Sequence, residues 1–217
     1  MRAMKSNLSY SLLTTLTLAA SLALSIAAET RQTLDAPGFR PESKDAKAFL
    51  KALKTCRLEV LPVMVRSQEG TTTSAAAQES VVAFLKEKHW GNPTASALEV
   101  DMGAPEGKAQ FGLFESDMKK IGQRVKGQKD ADYFLAIVQL ATPIPSGEVA
   151  LGGIHVYVLN AKGQNAYSFL LNSHHKMFVE AGLKTAVTGT EGSQVLAMPG
   201  TKVALDALER QIREKAK

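Results

Sequence analysis

Apolar residues recur at intervals of three and four in several stretches of the chain, and this spacing places them on one face of an α-helix. Ser43 and Thr201 are suited to cap the first and the last of these helices, because their hydroxyls can accept from unpaired backbone N–H groups. The four predicted faces are Ala46, Phe49, Leu50 and Leu53; Ala77, Val81, Phe84 and Leu85; Phe114, Met118, Ile121 and Val125; and Leu205, Leu208 and Ile212.

Short apolar runs between these helices predict β-strands. Leu58–Val65 reads as a buried strand, in which Pro62 marks a bulge or a lapse in pairing because proline has no N–H to donate. A short strand is predicted over Ala97–Met102, and Tyr133–Ala141 is the most apolar stretch after residue 28, which predicts the central strand.

Polar and glycine-rich segments predict the connections between these elements. Ser67–Ser74 and Gly189–Gly200 are both predicted as loops, and Lys176–Lys184 fits either a helix or the approach to a strand.

A β-hairpin is predicted near the middle of the second half of the chain. Gly153–Leu159 and Asn165–Leu171 alternate in polarity and flank Asn160-Ala161-Lys162-Gly163, a strong turn sequence. Pairing across this turn predicts that Val156 lies opposite Tyr167, which puts the apolar side chains on one face. His155, Tyr157 and Ser168 lie on the other face, which we expect to be partly exposed and available to a binding partner.

The order of elements predicts an α/β or α+β fold. Strands that alternate with helices favour crossover connections, while the late hairpin requires antiparallel pairing. We therefore expect a single mixed sheet with a late antiparallel hairpin, covered by helices, in one globular domain over residues 42–217. The strand order and the oligomeric state stay open.

The amino terminus has the pattern of a secretory signal peptide over residues 1–28. Arg2 and Lys5 precede an uncharged apolar stretch, and Ser25-Ile26-Ala27 provides the small residues that a signal peptidase requires. The proline-containing segment 29–41 then predicts a linker. These features predict a periplasmic or secreted protein with no later membrane span, although an uncleaved signal that acts as an anchor stays an alternative.

Composition narrows the classes of partner. The net charge is +5, and Arg2 and Lys5 would leave with the signal peptide, so the remaining excess is small and scattered. This argues against nucleic acid as a partner and leaves weak attraction to anionic envelope polymers. Cys56 is the only cysteine, so an intrachain disulfide is excluded, and the residues after the cleavage region lack the cysteine of a lipoprotein.

No complete catalytic or metal-binding motif is present. The four histidines are His89, His155, His174 and His175, and they lack the spacing of a zinc site, so we predict neither metal nor cofactor. Cys56 is expected to be a small buried hydrophobe. Arg66 stands before the Ser67–Ser74 loop and the helix after it, and it is a candidate for binding an anion at the helix start.

Five segments resemble a group of bacterial envelope domains. This group includes the amino-terminal domain of the Tol translocation protein, the curli-secretion lipoprotein and the lipoprotein activators of peptidoglycan synthases. The resemblance implies a related fold and a non-catalytic role, and it carries over no site residues. The segments are Leu58–Val63, Ala75–Lys88, Asp130–Leu135 with its Ala-Asp-Tyr sequence, His155–Asn160 and Tyr167–Phe169.

Two functional classes follow from the sequence. The first is an exported, non-catalytic binding or assembly domain that contacts an envelope protein or polymer through a sheet edge or through Arg66, His155, Tyr157 and Ser168. The alternative is a small secreted hydrolase whose site is assembled in space from His174, His175 and Glu99. A carrier of a small apolar ligand also stays open.

Overall fold

The computed structural model describes residues 45–105, 110–143, 148–173, 175–181, 183, 187–188 and 191–215. The predicted signal peptide and linker lie outside these residues. The helices are α1 (Ala46–Ala52), α2 (Ala75–Glu87), α3 (Gln110–Val125), α4 (Lys176–Glu180) and α5 (Glu191–Lys215). The strands are β1 (Arg57–Val60), β2 (Val63–Ser67), β3 (Gly70–Ser74), β4 (Asn92–Ala95), β5 (Tyr133–Pro143), β6 (Glu148–Asn160), β7 (Asn165–Asn172) and β8 (Val187–Thr188).

Strand β5 is the centre of the sheet, as its apolar sequence predicts. One edge of β5 pairs along its length with β6 in the antiparallel direction. Its other edge pairs in parallel first with β1 and then with β2. The break between β1 and β2 falls at Leu61 and Pro62, where the Leu61 N–H still donates to the Leu135 carbonyl at 2.8 Å but Pro62 has no N–H. The predicted lapse in pairing at Pro62 is therefore confirmed.

The remaining strands extend the sheet on both sides. Strand β4 pairs in parallel with β1, and β3 pairs antiparallel with β2. On the other side of the sheet, β7 and β8 each pair with β6 in the antiparallel direction. The described residues thus form an open, mixed, eight-stranded sheet of the α/β class, which confirms the predicted fold class.

Each face of the sheet carries an apolar layer, because buried side chains alternate along the strands. The first layer packs α1, α2 and α5 on the sheet through residues such as Phe49, Val81 and Leu208. The second layer packs α3 and the segment after β4 through residues such as Phe114 and Met102. The four predicted helices are confirmed, and their apolar faces point into these layers.

Two segments that were predicted as loops form regular structure. The first is Ser67–Ser74, in which β3 folds back on β2 because its backbone groups find partners there. The second is Gly189–Gly200, most of which lies in α5, a helix that continues through Pro199. Thr201 consequently lies inside α5 rather than at its start, and the other predicted cap, Ser43, is outside the described residues.

The strand predicted over Ala97–Met102 is also displaced. The strand in this region is β4, and the segment 96–105 has no regular secondary structure. Val100 and Met102 are nevertheless buried in the second apolar layer, so the run is apolar because it packs under α3 and not because it pairs.

The predicted hairpin is confirmed as β6 and β7, but its register is shifted by two residues. Val156 lies opposite Phe169, and Tyr167 lies opposite Val158. A bulge between Val158 and Leu159 accounts for one residue of this shift, and the other is already present at Leu159, which lies opposite Asn165 and not opposite Gln164 as the predicted register requires. A two-residue shift leaves every side chain on its predicted face. None of the helices in the described ranges is both long and apolar enough to cross a bilayer.

Candidate functional site

Arg66, Asp117, His155 and Tyr157 form a buried polar cluster in the second apolar layer. Arg66 comes from β2, Asp117 from α3, and the other two from β6. Their exposed fractions are 3% for Arg66 and 0% for the other three. These groups therefore interact with one another rather than with solvent.

Arg66 joins three parts of the chain. Its Nη1 donates to Oδ1 of Asp117 in an ion pair. Its Nε donates to the Gly103 carbonyl at 2.8 Å, and its Nη2 donates to the Ala104 carbonyl at 2.7 Å. The guanidinium thus holds α3 and the segment after β4 against β2, on the opposite face of the sheet from α2. Anion binding by Arg66 stays a prediction, and these contacts already occupy the side chain.

Tyr157 and His155 complete the cluster beside Asp117. The Tyr157 hydroxyl donates to the Phe114 carbonyl at 3.0 Å and lies 3.1 Å from Nδ1 of His155. Because that hydroxyl proton is already used, we assign the imidazole proton to Nδ1, which leaves Nε2 as an acceptor. Nδ1 is also 3.5 Å from Oδ2 of Asp117. Neither His155 Nε2 nor Asp117 Oδ2 has a hydrogen-bond partner within the described part of the chain.

Burial sets the protonation of these two aromatic groups. It lowers the pKa of His155, and the nearby Asp117 carboxylate only partly opposes this effect. Burial, followed by repulsion from Asp117, raises the pKa of Tyr157 well above its ordinary value. Both side chains are therefore neutral near pH 7. A closed cluster with neutral His155 and Tyr157 offers no face to a substrate, and its contacts fasten α3 to the sheet.

The hairpin face that was predicted to be partly exposed is buried. His155, Tyr157 and Ser168 lie under the second apolar layer, with Ser168 3% exposed and its Oγ accepting from Asn165 Nδ2 at 2.8 Å. The prediction of a partly wet face is wrong because α3 covers it. A binding role for these three residues stays a prediction, and any partner would have to displace α3 to reach them.

Of the residues considered for a hydrolase, the two that the structure describes, His175 and Glu99, do not converge. His175 is buried, and its Nδ1 accepts from the Met177 N–H at 3.3 Å beneath the first apolar layer. Glu99 is exposed, and its neighbours Leu98 and Val100 pack in the second layer, on the opposite face of the sheet. His174 lies outside the described residues. Among the residues that are described, no group of three His, Cys, Asp or Glu side chains could hold a metal.

Cys56 is 4% exposed, as expected for a small hydrophobe. Burial and the negative charge of Asp132 raise the pKa of its thiol. The protonated thiol is a much weaker nucleophile than the thiolate, so this environment opposes reactivity rather than promoting it.

Asp117 is the member of the cluster that sequence reasoning overlooked. It follows Phe114 by three residues and precedes Ile121 by four, so the helical pattern itself places it on the buried face of α3. An acidic residue on an apolar helical face needs a buried partner, and this sign could have marked Asp117 as part of a buried polar contact, although not which residue it meets.

Strand β3 provides an exposed sheet edge. It pairs with β2 on one side and with no other strand among the described residues. Its sequence is Gly-Thr-Thr-Thr-Ser, with Thr72 and Thr73 exposed, and it contains neither a charge nor a proline. Charged residues and prolines commonly protect natural edge strands from pairing with another chain. Strand β4, on the neighbouring edge, contains such a proline, Pro93.

Two surface hollows could accept small ligands. One, of about 290 Å³, lies between α4 and α5, with Met177 and Val203 at its base and Lys202, Asp206 and Arg210 among its lining residues. The other, of about 440 Å³, is a shallow groove beside Arg57 and Tyr133 at the starts of β1 and β5. Oppositely charged side chains line both hollows, with Lys202 and Asp206 in the first and Arg57 and Asp132 in the second.

Comparison with known protein families finds no match, and comparison with curated proteins also finds none. Among solved structures, one match is a PelC dodecamer from Paraburkholderia phytofirmans, solved as a single-substitution variant. The two chains are 11% identical, the similarity covers 78% of this chain and 99% of that chain, and the TM-score is 0.33. A similarity at this level supports no conclusion about function or assembly.

Proposed function

We propose that the protein is an exported, non-catalytic domain that binds or assembles with a protein of the cell envelope through the edge of β3. Export rests on the signal-peptide pattern of residues 1–28, and the resemblance to envelope domains agrees with it; both stay predictions. The observation that carries the proposal is the exposed, uncharged and proline-free edge of β3.

The edge favours a polypeptide over a polysaccharide as the partner. In an antiparallel pair, every second residue turns its N–H and C=O away from its neighbour strand, so β3 presents a row of backbone donors and acceptors. An extended polypeptide matches that row along its whole length, as in other complexes formed by strand addition.

The hydrolase alternative receives less support from the geometry. A hydrolytic site needs its acid, base and nucleophile within hydrogen-bond reach of one reacting atom. Here His175 and Glu99 belong to opposite faces of the sheet, and the cluster that does bring an acid and a histidine together is closed to solvent.

Photocrosslinking in intact cells tests the proposal. A photoreactive amino acid replaces Thr73 on β3 in one variant and Thr94 on β4 in a matched control, since both residues are exposed on edge strands. We expect the Thr73 probe to capture a discrete envelope protein and the Thr94 probe to capture far less of it. Equal capture from both edges, or none from Thr73, contradicts a binding role for the β3 edge.

A charged substitution on β3 provides a second, independent test of the proposal. Thr73→Lys places an ammonium group on the edge, where it obstructs strand addition, and its exposure makes a large loss of stability unexpected. Capture by a probe at the neighbouring Thr71 should fall in this variant, whereas Thr94→Lys should leave that capture unchanged.

A further inference from the structure

We propose that β3 pairs in the antiparallel direction with β3 of a second copy of the chain, across a two-fold axis that passes beside Thr72. This inference rests on the proposed function, because it names a partner for the same sheet edge. Most soluble homo-oligomers have closed symmetry, and a two-fold interface uses the same patch on both subunits. The patch must therefore be complementary to itself.

The sequence of β3 meets this requirement. An axis at Thr72 places Thr72 opposite Thr72 of the second copy, Thr71 opposite Thr73, and Gly70 opposite Ser74. Directly opposed threonines form favourable cross-strand pairs through their methyl and hydroxyl groups. The three central pairs are thus all threonine with threonine. Gly70 and Ser74 at the two ends are small, so the two strands have room to approach each other.

The charges beside β3 are also compatible with this register. The pairing ends at Gly70 and Ser74, because Glu69 lies in the turn before β3 and Ala75 begins α2, so each Glu69 lies beside the start of α2 of the second copy. Like charges opposite one another destabilise a strand pair, and this register avoids them. Ala75 and Ala76 are both exposed and small, so the start of α2 does not add bulk at the join.

The neighbouring edge lacks these properties. Strand β4 has only four residues, Asn-Pro-Thr-Ala, and Pro93 removes a backbone donor from it. Its side chains also give unlike pairs about a two-fold axis at its centre. A second copy therefore fits the edge of β3 better than the edge of β4.

Cysteine crosslinking tests the register. Single cysteines replace Thr71, Thr72 or Thr73 in a Cys56→Ala background, which removes the native thiol. Directly opposed residues have Cβ atoms about 4.5–5.5 Å apart, close to disulfide range, whereas diagonal neighbours are about 7–8 Å apart. Under mild oxidation we expect Thr72→Cys to form roughly ten-fold more covalent dimer than Thr71→Cys or Thr73→Cys alone.

A mixture of the Thr71→Cys and Thr73→Cys proteins is the matched control for the two-fold axis. These positions face each other across it, so the mixture should form heterodimers that neither protein forms alone. The proposal is overturned if Thr72→Cys stays monomeric while its thermal unfolding matches that of the background, or if Thr71→Cys alone crosslinks as well as Thr72→Cys.

Sedimentation of the unmodified protein gives a second measurement. Thr72→Lys sets two ammonium groups opposite each other and should convert a dimer into a monomer, whereas Thr94→Lys should leave the dimer intact. A wild-type protein that sediments as a monomer at tens of micromolar contradicts self-pairing.

The two proposals can fail separately. If the Thr73 photoprobe captures a different envelope protein and no dimer forms, the binding function stands and self-pairing is wrong. If the dimer forms and the photoprobe captures only a second copy, self-pairing stands and binding of another envelope protein is wrong. If neither product forms, both proposals are wrong.

Discussion

The ion pair between Arg66 and Asp117 joins residues that are 51 positions apart in the chain and fixes α3 against the sheet. Both side chains are buried, and the guanidinium also binds the carbonyls of Gly103 and Ala104. A buried pair of this kind adds little net stability compared with apolar residues of the same volume. Its removal on one side alone is costly, because the other charge stays buried without a partner.

Asp117→Asn tests this asymmetry. The amide keeps the volume but leaves the Arg66 charge unpaired, so we expect the free energy of unfolding to fall by about 3–5 kcal/mol. Denaturation in urea measures the change. Glu115→Gln, at an exposed position of the same helix, should cost less than about 0.5 kcal/mol.

A double variant separates the cost of leaving one buried charge unpaired from the net contribution of the ion pair to stability. Arg66→Met with Asp117→Leu removes both charges, and it should be markedly more stable than Asp117→Asn alone. If the double variant loses as much stability as Arg66→Met and Asp117→Leu lose together, the two side chains are not coupled and the asymmetry argument is wrong.

The helical pattern of α3 predicted the position of this pair only in part. The spacing of Phe114, Ile121 and Val125 gave the helix and its buried face correctly. It could not identify Arg66 as the partner of Asp117, because that contact depends on how β2 and α3 are placed in the fold. Local periodicity reports which side of a helix is buried, and it contains no information about what lies opposite.

Strand β3 and the first half of α5 show a different limit of prediction from the sequence. Gly-Thr-Thr-Thr-Ser has the composition of a loop, and it forms a strand because β2 supplies partners for its backbone. Gly189–Gly200 was predicted as a loop before a helix capped by Thr201, yet α5 begins at Glu191 and runs through Pro199 and Gly200. In each case tertiary contacts outweigh the local preference of the residues.

The buried His155 predicts a dependence of stability on pH. Its pKa is lowered in the folded protein, so it binds a proton less readily there than in the unfolded chain, where a histidine pKa is about 6.5. The stability from this residue is present above that pH. It is lost as the pH falls below about 6.5 toward the folded pKa, at up to about 1.4 kcal/mol per pH unit.

His175 contributes in the same direction, since burial and then the charge of Lys176 lower its pKa. Urea denaturation between about pH 7.5 and pH 4.5 should therefore compare His155→Gln, His175→Gln and the double variant with the wild type. We expect each single change to reduce the slope below about pH 6.5, and the double change to reduce it further. A slope that does not change in the His155 variant would show that folding does not lower the pKa of His155.

Gly163 in the hairpin turn lies against Gly122 of α3. A Cβ at Gly163 would collide with the Gly122 carbonyl, and its φ of +74° is already unfavourable for other residues. Gly127 is the matched control, because its φ is +84° and no atom lies within 4 Å of its Cβ position.

Gly127→Ala should thus cost about 1–2 kcal/mol from backbone strain alone. Gly163→Ala should cost clearly more, since the collision adds to the same strain. Thermal unfolding measures both variants, and equal losses would mean that α3 and the turn separate without cost.

Replacing Gly200 in α5 by alanine should have the opposite effect on stability from the one usual for a glycine inside a helix. Replacing glycine by alanine inside a helix normally stabilises it by about 1 kcal/mol. Here the new Cβ would collide with Oε1 of the buried Gln139, whose Nε2 donates to the Ala197 carbonyl at 2.8 Å and to Thr201 Oγ1 at 3.0 Å. The side chain of Gln139 cannot move away without breaking these two bonds, so Gly200→Ala should destabilise the protein.

Replacing Gln139, the residue that the new Cβ would meet, supplies the control for this prediction. In a Gln139→Ala background the obstacle is gone, and Gly200→Ala should then be neutral or stabilising by up to about 1 kcal/mol. A double-mutant cycle in urea measures the difference in sign between the two backgrounds. If Gly200→Ala stabilises the wild-type protein as well, Gln139 does not bridge β5 and α5 at this point.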